Sequence, residues 1–200
     1  DDATYTTCPA ESDDWLVRMS RLDIDRTAQV GVAHHARVEF KGLPILYTPW
    51  MDFPLNDARR SGFLGPIIGS SNRGGTEITL PYYWNIADNY DATIAPRMIA
   101  KRGTQINNEF RYMGSSYSGE GHYDVLPFDR LNNLQRHRES LMHSHALGGG
   151  VGASLNLNRV SDDGYFRDLS STVAGTSQTN LLREGILSYS TNWWSATARV

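Results

Sequence analysis

The chain has 200 residues, and its 19 basic and 22 acidic side chains give a formal net charge of −3. The charges are interspersed along the chain, which excludes the basic patch or stripe of a nucleic-acid-binding surface. No run approaches the ~18 apolar residues of a membrane-spanning helix, and the mean hydropathy is −0.46. These numbers exclude a helical membrane protein, but not a β-barrel, whose strands alternate apolar and polar residues.

Residues 1–49 show the period-two alternation of short strands, with a hairpin turn predicted at Lys41–Gly42. Short strands without helices predict a jelly roll or a stacked β-turn domain. The segment PWMDFPLNDARRSG, residues 49–62, contains two prolines, a charge cluster and a glycine, so residues 50–62 are predicted to be a linker. The chain starts without an initiator methionine and stops inside a strand-like pattern, so we expect it to be a fragment of a longer protein.

The single cysteine, Cys8, has no partner within the chain for a disulfide bond. Two interpretations stay open at this point. Cys8 is either a buried thiol or one half of a bridge to a segment outside this sequence.

Residues 63–200 predict a series of antiparallel strands connected in an up-and-down order. Several of them reach the ~9–11 residues that a tilted strand needs to cross a bilayer. Between them, only the segment before Glu139 shows enough helical periodicity for a turn or two of helix. The predicted strands are 63–71, 75–86, 90–101, 104–114, 119–126, 139–148, 151–160, 181–190 and 193–200.

The connections between these strands are asymmetric. Alternate connections of an up-and-down sheet lie on the same side, and both long predicted connections, 127–138 and 161–180, fall on one side. The other side has only tight turns, as in outer-membrane barrels with long external loops and short periplasmic turns. Aromatic residues beside the short turns predict a periplasmic girdle at the membrane interface. The predicted girdle consists of Trp84, Tyr90, Tyr112, Tyr189, Trp193 and Trp194.

The polar positions of the strands carry charges of both signs, which predicts a wet barrel lumen. The lumen-facing residues predicted in this way are Glu77, Asp91, Arg97, Lys101, Glu109 and Arg111. His143 and His145 stand two residues apart, whereas zinc needs three or four converging ligands, so no metal site is expected. The chain also lacks a phosphate-binding loop and a nucleophile elbow, so the sequence predicts neither a cofactor nor an enzyme.

Two prolines, Pro66 and Pro81, fall inside the first two predicted barrel strands. A hairpin that turned at Arg73–Gly74 would place them opposite each other, towards the side of the short turns. Proline donates no backbone hydrogen bond and is confined to strand edges and bulges. The pair therefore predicts either a simple bulge or a deliberately weak point in the first strand.

The segments ARVEFKGLPILYTPWMDFPLNDARRSGFLGP and LPYYWNIADNYDATIAPRMIAKRGTQINNEFRYM resemble the LptD family (also called OstA or Imp) of outer-membrane lipopolysaccharide-assembly proteins. The resemblance is strongest over residues 33–113 and continues to about residue 190, where VSDDGYFRDLS is again similar to the family. It implies an all-β chain. Residues 1–49 would end a periplasmic jelly roll, and residues 63–200 would form the first strands of a large, incomplete transmembrane barrel.

The resemblance also implies partners and a route. Lipopolysaccharide would arrive along a periplasmic bridge protein with the same jelly-roll fold, and it would leave sideways between the first and last barrel strands. A lipoprotein would plug the lumen, and the barrel would sit in the lipid bilayer of the outer membrane with residues 1–62 on the periplasmic side. In this interpretation Pro66 and Pro81 belong to the lateral gate, and Cys8 bridges to the far end of the barrel chain.

A second interpretation is a small, closed outer-membrane barrel that acts as a structural anchor or adhesin through its long loops. Strand number separates the two interpretations. A small barrel has an even number of strands and ends in its closing strand, whereas about nine strands and an abrupt stop are predicted here.

Overall fold

The computed structural model describes residues 3–6, 15–27, 29–56, 59–170 and 180–200, and Cys8 lies outside these residues. The chain divides into two compact units, Asp1–Gly62 and Phe63–Val200. In both, the described residues form antiparallel strands, which confirms the all-β fold class. No helix in the described part of the chain has the length and apolar character needed to cross a membrane.

The described residues of the first unit form a five-stranded antiparallel sheet in which β4 (Val30–Phe40) pairs with three other strands. Lys41 and Gly42 form the predicted hairpin turn, with φ angles of 48° and 79° that suit a tight two-residue turn. A small core of Met19, Ala33 and Ala36 lies on one face of the sheet. The strands are β1 (Ala3–Tyr5), β2 (Trp15–Met19), β3 (Arg21–Asp25), β4 (Val30–Phe40) and β5 (Leu43–Pro54).

Strand β5 continues to Pro54, into the segment predicted as a linker. It does so because β4 offers a full-length partner: Trp50 lies opposite His34, and Phe53 lies opposite Gly31. The Phe53 ring occupies the space that a side chain at Gly31 would fill. Cross-strand pairing therefore extends β5 beyond the point at which the prolines and charges suggested a break.

The remaining strands form an 11-stranded sheet, in which β7 (Ile67–Ser71) lies at one edge and β16 (Ser195–Arg199) at the other. One end carries the turns 88–89, 114–116, 149–150 and 191–194, and we call it the short-turn end. The other, the long-loop end, carries the turns 72–74, 100–102 and 130–133 and residues 161–170 of the long connection after β14, with helix α1 (Tyr165–Leu169). The strands are β6 (Gly62–Phe63), β7 (Ile67–Ser71), β8 (Gly75–Thr79), β9 (Tyr82–Ala87), β10 (Tyr90–Ile99), β11 (Gly103–Met113), β12 (Tyr117–Asp129), β13 (Leu134–Gly148), β14 (Val151–Val160), β15 (Arg183–Ser190) and β16 (Ser195–Arg199).

The prolines interrupt the first two predicted strands of this sheet. The predicted strand 63–71 is divided into β6 and β7, and the predicted strand 75–86 is divided into β8 and β9. Pro66 lies in the first interruption and Pro81 in the second, since neither can donate a ladder hydrogen bond. Backbone pairing between the two segments resumes next to the prolines, where the Leu64 amide donates to the Pro81 carbonyl over 2.8 Å.

The expectation that the two prolines face each other is wrong. The pairing of β7 with β8, continued by one residue, places Pro66 opposite Leu80 rather than opposite Pro81. The physical reason is the hairpin turn, which runs through the three residues 72–74 instead of the two that were predicted. One extra turn residue shifts the register of the whole hairpin.

The long connection predicted at 127–138 is also wrong, and the described residues 127–138 form no helix. Strands β12 and β13 pair with each other within this region, and a turn at residues 130–133 connects them. The Asp129 carboxylate stabilises the turn by accepting a hydrogen bond from the Leu131 amide over 3.0 Å, and Asn133 adopts a φ of 56°. Of the predicted long connection after β14, the structure describes residues 161–170, which contain the short helix α1.

The two faces of the 11-stranded sheet differ in chemistry. Residues directly opposite each other in an antiparallel ladder point to the same face. The register therefore assigns every side chain of β8–β16 to one of the two faces of the sheet. We call the face against which α1 packs the α1 face, and the other the outer face. The α1 face is mainly polar, whereas the outer face carries rows of apolar and aromatic side chains.

Candidate functional site

The α1 face of β8–β11 carries a ladder of paired charges. Arg97, which is buried, donates to Glu77 on β8 over 2.5 Å and to Gln105 on β11 over 3.1 Å. Asp91, also buried, accepts two hydrogen bonds from Arg111, at 2.8 and 3.1 Å. Five of the six residues predicted to face a lumen therefore share one face, because Glu109 lies on it as well. The sixth, Lys101, lies in the turn after β10 and donates to the Asn72 carbonyl.

One group of potential metal ligands lies on the same face. The ligand atoms of Glu109, Glu120 and His122 lie within 4.8 Å of one another, and no other such group occurs among the residues that the structure describes. Each already has a partner: Arg111 pairs with Glu109 at 3.3 Å, and His122 contacts Glu120 at 2.6 Å. In this arrangement the three side chains stabilise the sheet surface.

A second cluster of charges lies at the long-loop end, and we call it the Arg136 cluster. The Arg136 side chain is fully buried. Its guanidinium group binds Asp162 with two hydrogen bonds of 2.9 and 2.6 Å, and it binds Asp168 at 3.0 Å and Asp129 at 3.2 Å. Arg102 completes the cluster with a 2.6 Å bond to Asp129. Two arginines and three aspartates thus meet at one place, from the turn after β10 (Arg102), the facing ends of β12 and β13 (Asp129, Arg136) and the connection after β14 (Asp162, Asp168).

Helix α1 is held against the sheet by apolar packing beneath this cluster. Tyr165 and Leu169 are buried together with Ile99 of β10 and Leu126 of β12. Burial of such side chains contributes about 1.5–3 kcal/mol each. The helix is only five residues long and has no side-chain cap at its N-terminus, so it depends on these tertiary contacts for its stability.

Hydrogen bonds from the charge ladder also reach α1. Arg97 donates to the Leu169 carbonyl over 2.7 Å, and Gln105 donates to the Tyr165 hydroxyl over 2.9 Å. Arg73, from the turn between β7 and β8, donates to the Arg167 carbonyl. The start of the long loop is therefore fixed onto the α1 face by residues from β10, β11 and the first hairpin.

Acid is expected to release α1 from the sheet. Although burial raises the pKa of both Asp162 and Asp168, hydrogen bonds from Arg136 to both carboxyls, from Ser161 to Asp162 and from Arg167 to Asp168 hold each pKa below the usual value. A carboxyl with a depressed pKa in the folded state stabilises that state above its unfolded pKa of about 3.9, and it loses this contribution as the pH falls through the folded pKa. Hydrogen exchange of the 161–170 backbone, corrected for intrinsic rates, should therefore accelerate below about pH 4.

The matched control for this prediction is the double variant Asp162→Asn with Asp168→Asn. It has no carboxyl to titrate at these positions, so its exchange at 161–170 should be fast and independent of pH between about 3 and 6. An unchanged exchange rate of the unmodified protein across this range would show that the aspartates do not hold the loop.

The outer face carries aromatic side chains beside the short turns. Tyr90 stacks on Phe110 with ring centroids 6.2 Å apart, and Phe110 lies 5.9 Å from Tyr112. The Tyr189 and Trp194 rings meet edge to face at 5.2 Å. Of the six aromatic residues predicted to form a girdle, Trp84, Tyr90, Tyr112 and Tyr189 lie on outer-face positions at this end of the sheet, and Trp193 and Trp194 lie in the 191–194 turn.

Sequence reasoning did not find the Arg136 cluster. Its members come from positions 102, 129, 136, 162 and 168, and only the register of four strands and the path of the long loop bring them together. The one local signal was SDDGYFRDLS, a segment that combines three aspartates with apolar residues that need a buried surface. An isolated charge in such a loop is usually solvated, so the sequence alone gives no reason to expect burial.

Comparison with known proteins connects these features to a family. A family model described as LptD protein matches residues 32–139, and one described as LPS transport system D matches residues 135–200. The chain is 48% identical over 187 residues to the LPS-assembly protein LptD of Nitrosomonas eutropha, an alignment that covers 94% of this chain and 26% of that protein.

Two further relatives align over the whole chain. The LPS-assembly proteins LptD of Aromatoleum aromaticum and Azoarcus sp. are 46% and 48% identical to it over 201 residues, which is 100% of this chain and 26% and 25% of those proteins. The chain thus spans about a quarter of the length of these curated relatives. Because the first family model covers more than half of the chain and the second continues to residue 200, the chain belongs to the LptD protein family.

Proposed function

We propose that this chain forms part of the wall of an outer-membrane barrel that delivers lipopolysaccharide to the outer leaflet. The observation that carries the proposal is the division of the 11-stranded sheet into a polar, charge-paired α1 face and an apolar outer face with aromatic residues at the short-turn end. A barrel wall in a membrane needs this division, because one side contacts water and the other contacts lipid. The names of the relatives support the choice of lipopolysaccharide as the cargo.

In this proposal the α1 face lines the lumen. Its charges of both signs, Glu77 with Arg97 and Asp91 with Arg111, suit a passage for hydrated sugars and phosphates. The start of the long loop, held by the Arg136 cluster, would narrow the lumen at the end of the barrel that faces the cell exterior. No step of this transport makes or breaks a covalent bond, so we do not assign catalysis to the chain.

Further assignments follow from the family. Residues 1–62 belong on the periplasmic side, where the sheet of the first unit receives lipopolysaccharide from a bridge protein with the same jelly-roll fold. A lipoprotein fills part of the lumen. Cys8 supplies half of a disulfide bond to a distant part of the same protein, which the oxidising periplasm permits.

The edges of the sheet favour a large barrel over a small anchor or adhesin. In the described part of the chain β7 and β16 stand at opposite edges of the sheet, and they do not pair with each other. β7 is exposed along its whole length, including Ile67 and Ile68. An exposed apolar edge strand is unstable by itself, so we propose that β7 pairs with the last strand of the complete barrel.

The prolines would weaken the hairpin formed by the first two strands, so that its edge strand β7 can separate from the last strand and allow lipid to leave sideways. Replacing both, Pro66→Ala with Pro81→Ala, restores two backbone donors worth ~1 kcal/mol each. Opening of the gate should then become up to about 30-fold less frequent, and lipopolysaccharide delivery in the whole protein should slow while the barrel stays folded. The measurement is the rate at which labelled lipopolysaccharide reaches the cell surface in cells that depend on the variant.

Pro96→Ala is the matched control, because Pro96 lies inside β10 rather than beside the edge strand, and its delivery rate should be normal. A stronger test joins β7 to the last strand of the complete barrel by an engineered disulfide bond. Delivery should stop and should return when reductant is added. Normal delivery through the locked barrel would rule out lateral release at β7.

A further inference from the structure

The outer face has a second polar feature that the proposed route does not use. His143 and His145 lie on the outer face of β13 near the short-turn end, 5.9 Å apart between ring centroids. Tyr112 and Tyr117 lie beside them, with ring centroids 5.8 Å from His143 and 5.7 Å from His145, respectively. Two imidazoles on the lipid side of a barrel wall need polar partners.

A glycine builds this arrangement. Gly119 of β12 lies directly between Tyr112 of β11 and His143 of β13 in the cross-strand register. A methyl group at Gly119 would overlap the Tyr112 ring. Because glycine has no side chain, the Tyr112 ring extends across β12 towards β13. The Tyr112 hydroxyl thereby reaches the His143 Nδ1 atom at 2.7 Å.

This contact determines which ring nitrogen of His143 carries the proton. When the Tyr112 hydroxyl donates to Nδ1, the neutral imidazole carries its proton on Nε2, which then points a free N–H donor away from the tyrosine. His145 is held more loosely, with Nε2 3.4 Å from the Ser116 hydroxyl in the adjacent turn. His143 can therefore donate to an acceptor outside the protein, and the long contact with Ser116 leaves His145 able to do the same.

The position of the pair along the strand indicates what that acceptor is. Leucines occupy the outer face further from the short turns, including Leu141 on β13 and Leu157, its direct partner on β14. The imidazoles thus stand between this apolar band and the turn at 149–150, at the level of the stacked Tyr90 and Phe110 rings. Interfacial aromatic rings mark the depth of lipid headgroups in a bilayer.

We propose that His143 and His145, oriented by Tyr112 and Tyr117, bind the phosphate of a phospholipid headgroup in the leaflet at the short-turn end. The inference rests on the proposed function, since it requires the outer face to contact a bilayer. Phosphate oxygens accept from imidazole N–H groups, and a phosphodiester supplies several acceptors at one point. The bound lipid would anchor this side of the barrel at a fixed depth.

The test uses the whole protein, purified as a folded barrel and analysed by native mass spectrometry for retained phosphatidylglycerol. His143→Gln with His145→Gln should lower the affinity for this lipid by at least about tenfold, because the loss of even one of the two hydrogen bonds to a charged group has that effect. Tyr112→Phe keeps the ring but releases Nδ1 of His143, and it should cause a smaller loss. This single variant also serves if the double variant does not fold.

The matched control is His137→Gln, which places the same substitution on the same face of the same strand at the long-loop end. Its retention of phosphatidylglycerol should be normal. Diacylglycerol, which has the same tails but no phosphate, should be retained equally by all variants. Inorganic phosphate at millimolar concentration should not displace the lipid, because the site takes a headgroup at membrane depth.

Normal retention of phosphatidylglycerol by a folded double variant would overturn the inference, as would an equal loss in His137→Gln or for diacylglycerol. Displacement by inorganic phosphate would overturn the assignment to a lipid headgroup. Each of these results leaves the proposed function standing. If the unmodified protein fails to insert into lipid nanodiscs as a heat-modifiable barrel, the proposed function itself fails.

Discussion

Replacing Arg136 by methionine is expected to destabilise the long loop more than any other single substitution in this unit. The Arg136 side chain is fully buried, and it neutralises Asp129, Asp162 and Asp168. Methionine keeps much of the volume but leaves three carboxylates close together without their main counter-ion. Removing one partner of a buried ion pair costs about 3–5 kcal/mol. Residues 161–170 should therefore detach from the α1 face.

Hydrogen exchange and limited proteolysis of residues 161–170 in the whole protein measure this effect. Arg167→Met is the matched control, because Arg167 contacts Asp168 at 3.2 Å but its side chain is 64% exposed. Exposed ion pairs contribute only about 0–1 kcal/mol, so this variant should exchange at nearly the normal rate. Equal protection in the two variants would mean that Arg136 does not hold the loop.

The second large effect is expected from a charge placed on the outer face. Ile94 lies in the middle of β10 on the outer face, between Tyr82 of β9 and Asn108 of β11. In the proposed barrel this position lies near the middle of the bilayer, where an arginine costs about 2–4 kcal/mol. Ile94→Arg should therefore lower the unfolding free energy of the whole protein by that amount, measured by denaturant titration in lipid vesicles.

The neighbouring residue provides the control. Thr93 lies on the α1 face, opposite Glu109 of β11, so an arginine there reaches water and a carboxylate. Thr93→Arg should change the unfolding free energy by less than about 1 kcal/mol. Equal costs at both positions would contradict the assignment of the two faces to lumen and lipid.

The alternation of residues along the sequence determined most of the strands and both faces. The predicted strands 90–101, 104–114 and 151–160 correspond to β10, β11 and β14, and Asp91, Arg97 and Ile94 lie on the faces that their positions indicated. This succeeds because the side-chain period of a strand is two, so the nearest neighbours in sequence are enough to define a face.

Register and strand length were decided by the tertiary structure. A turn of three residues instead of two moved Pro66 out of line with Pro81. Pairing between β12 and β13 overrode a segment whose composition resembled a loop, because each strand supplied the other with a ladder of hydrogen bonds. Such pairing energy depends on a partner that is distant in sequence, so local composition does not reveal it.

The Arg136 cluster shows the same limit for a site. Arg102 lies in the turn after β10, and Asp129 and Arg136 lie at the facing ends of β12 and β13. Asp162 and Asp168 arrive only when the long loop folds back over the sheet. The sequence supplied the charges and the apolar residues Tyr165 and Leu169. Whether those charges are solvated or buried was decided by loop closure over Ile99 and Leu126, because burial of a charge is favourable only where its partners already stand in place.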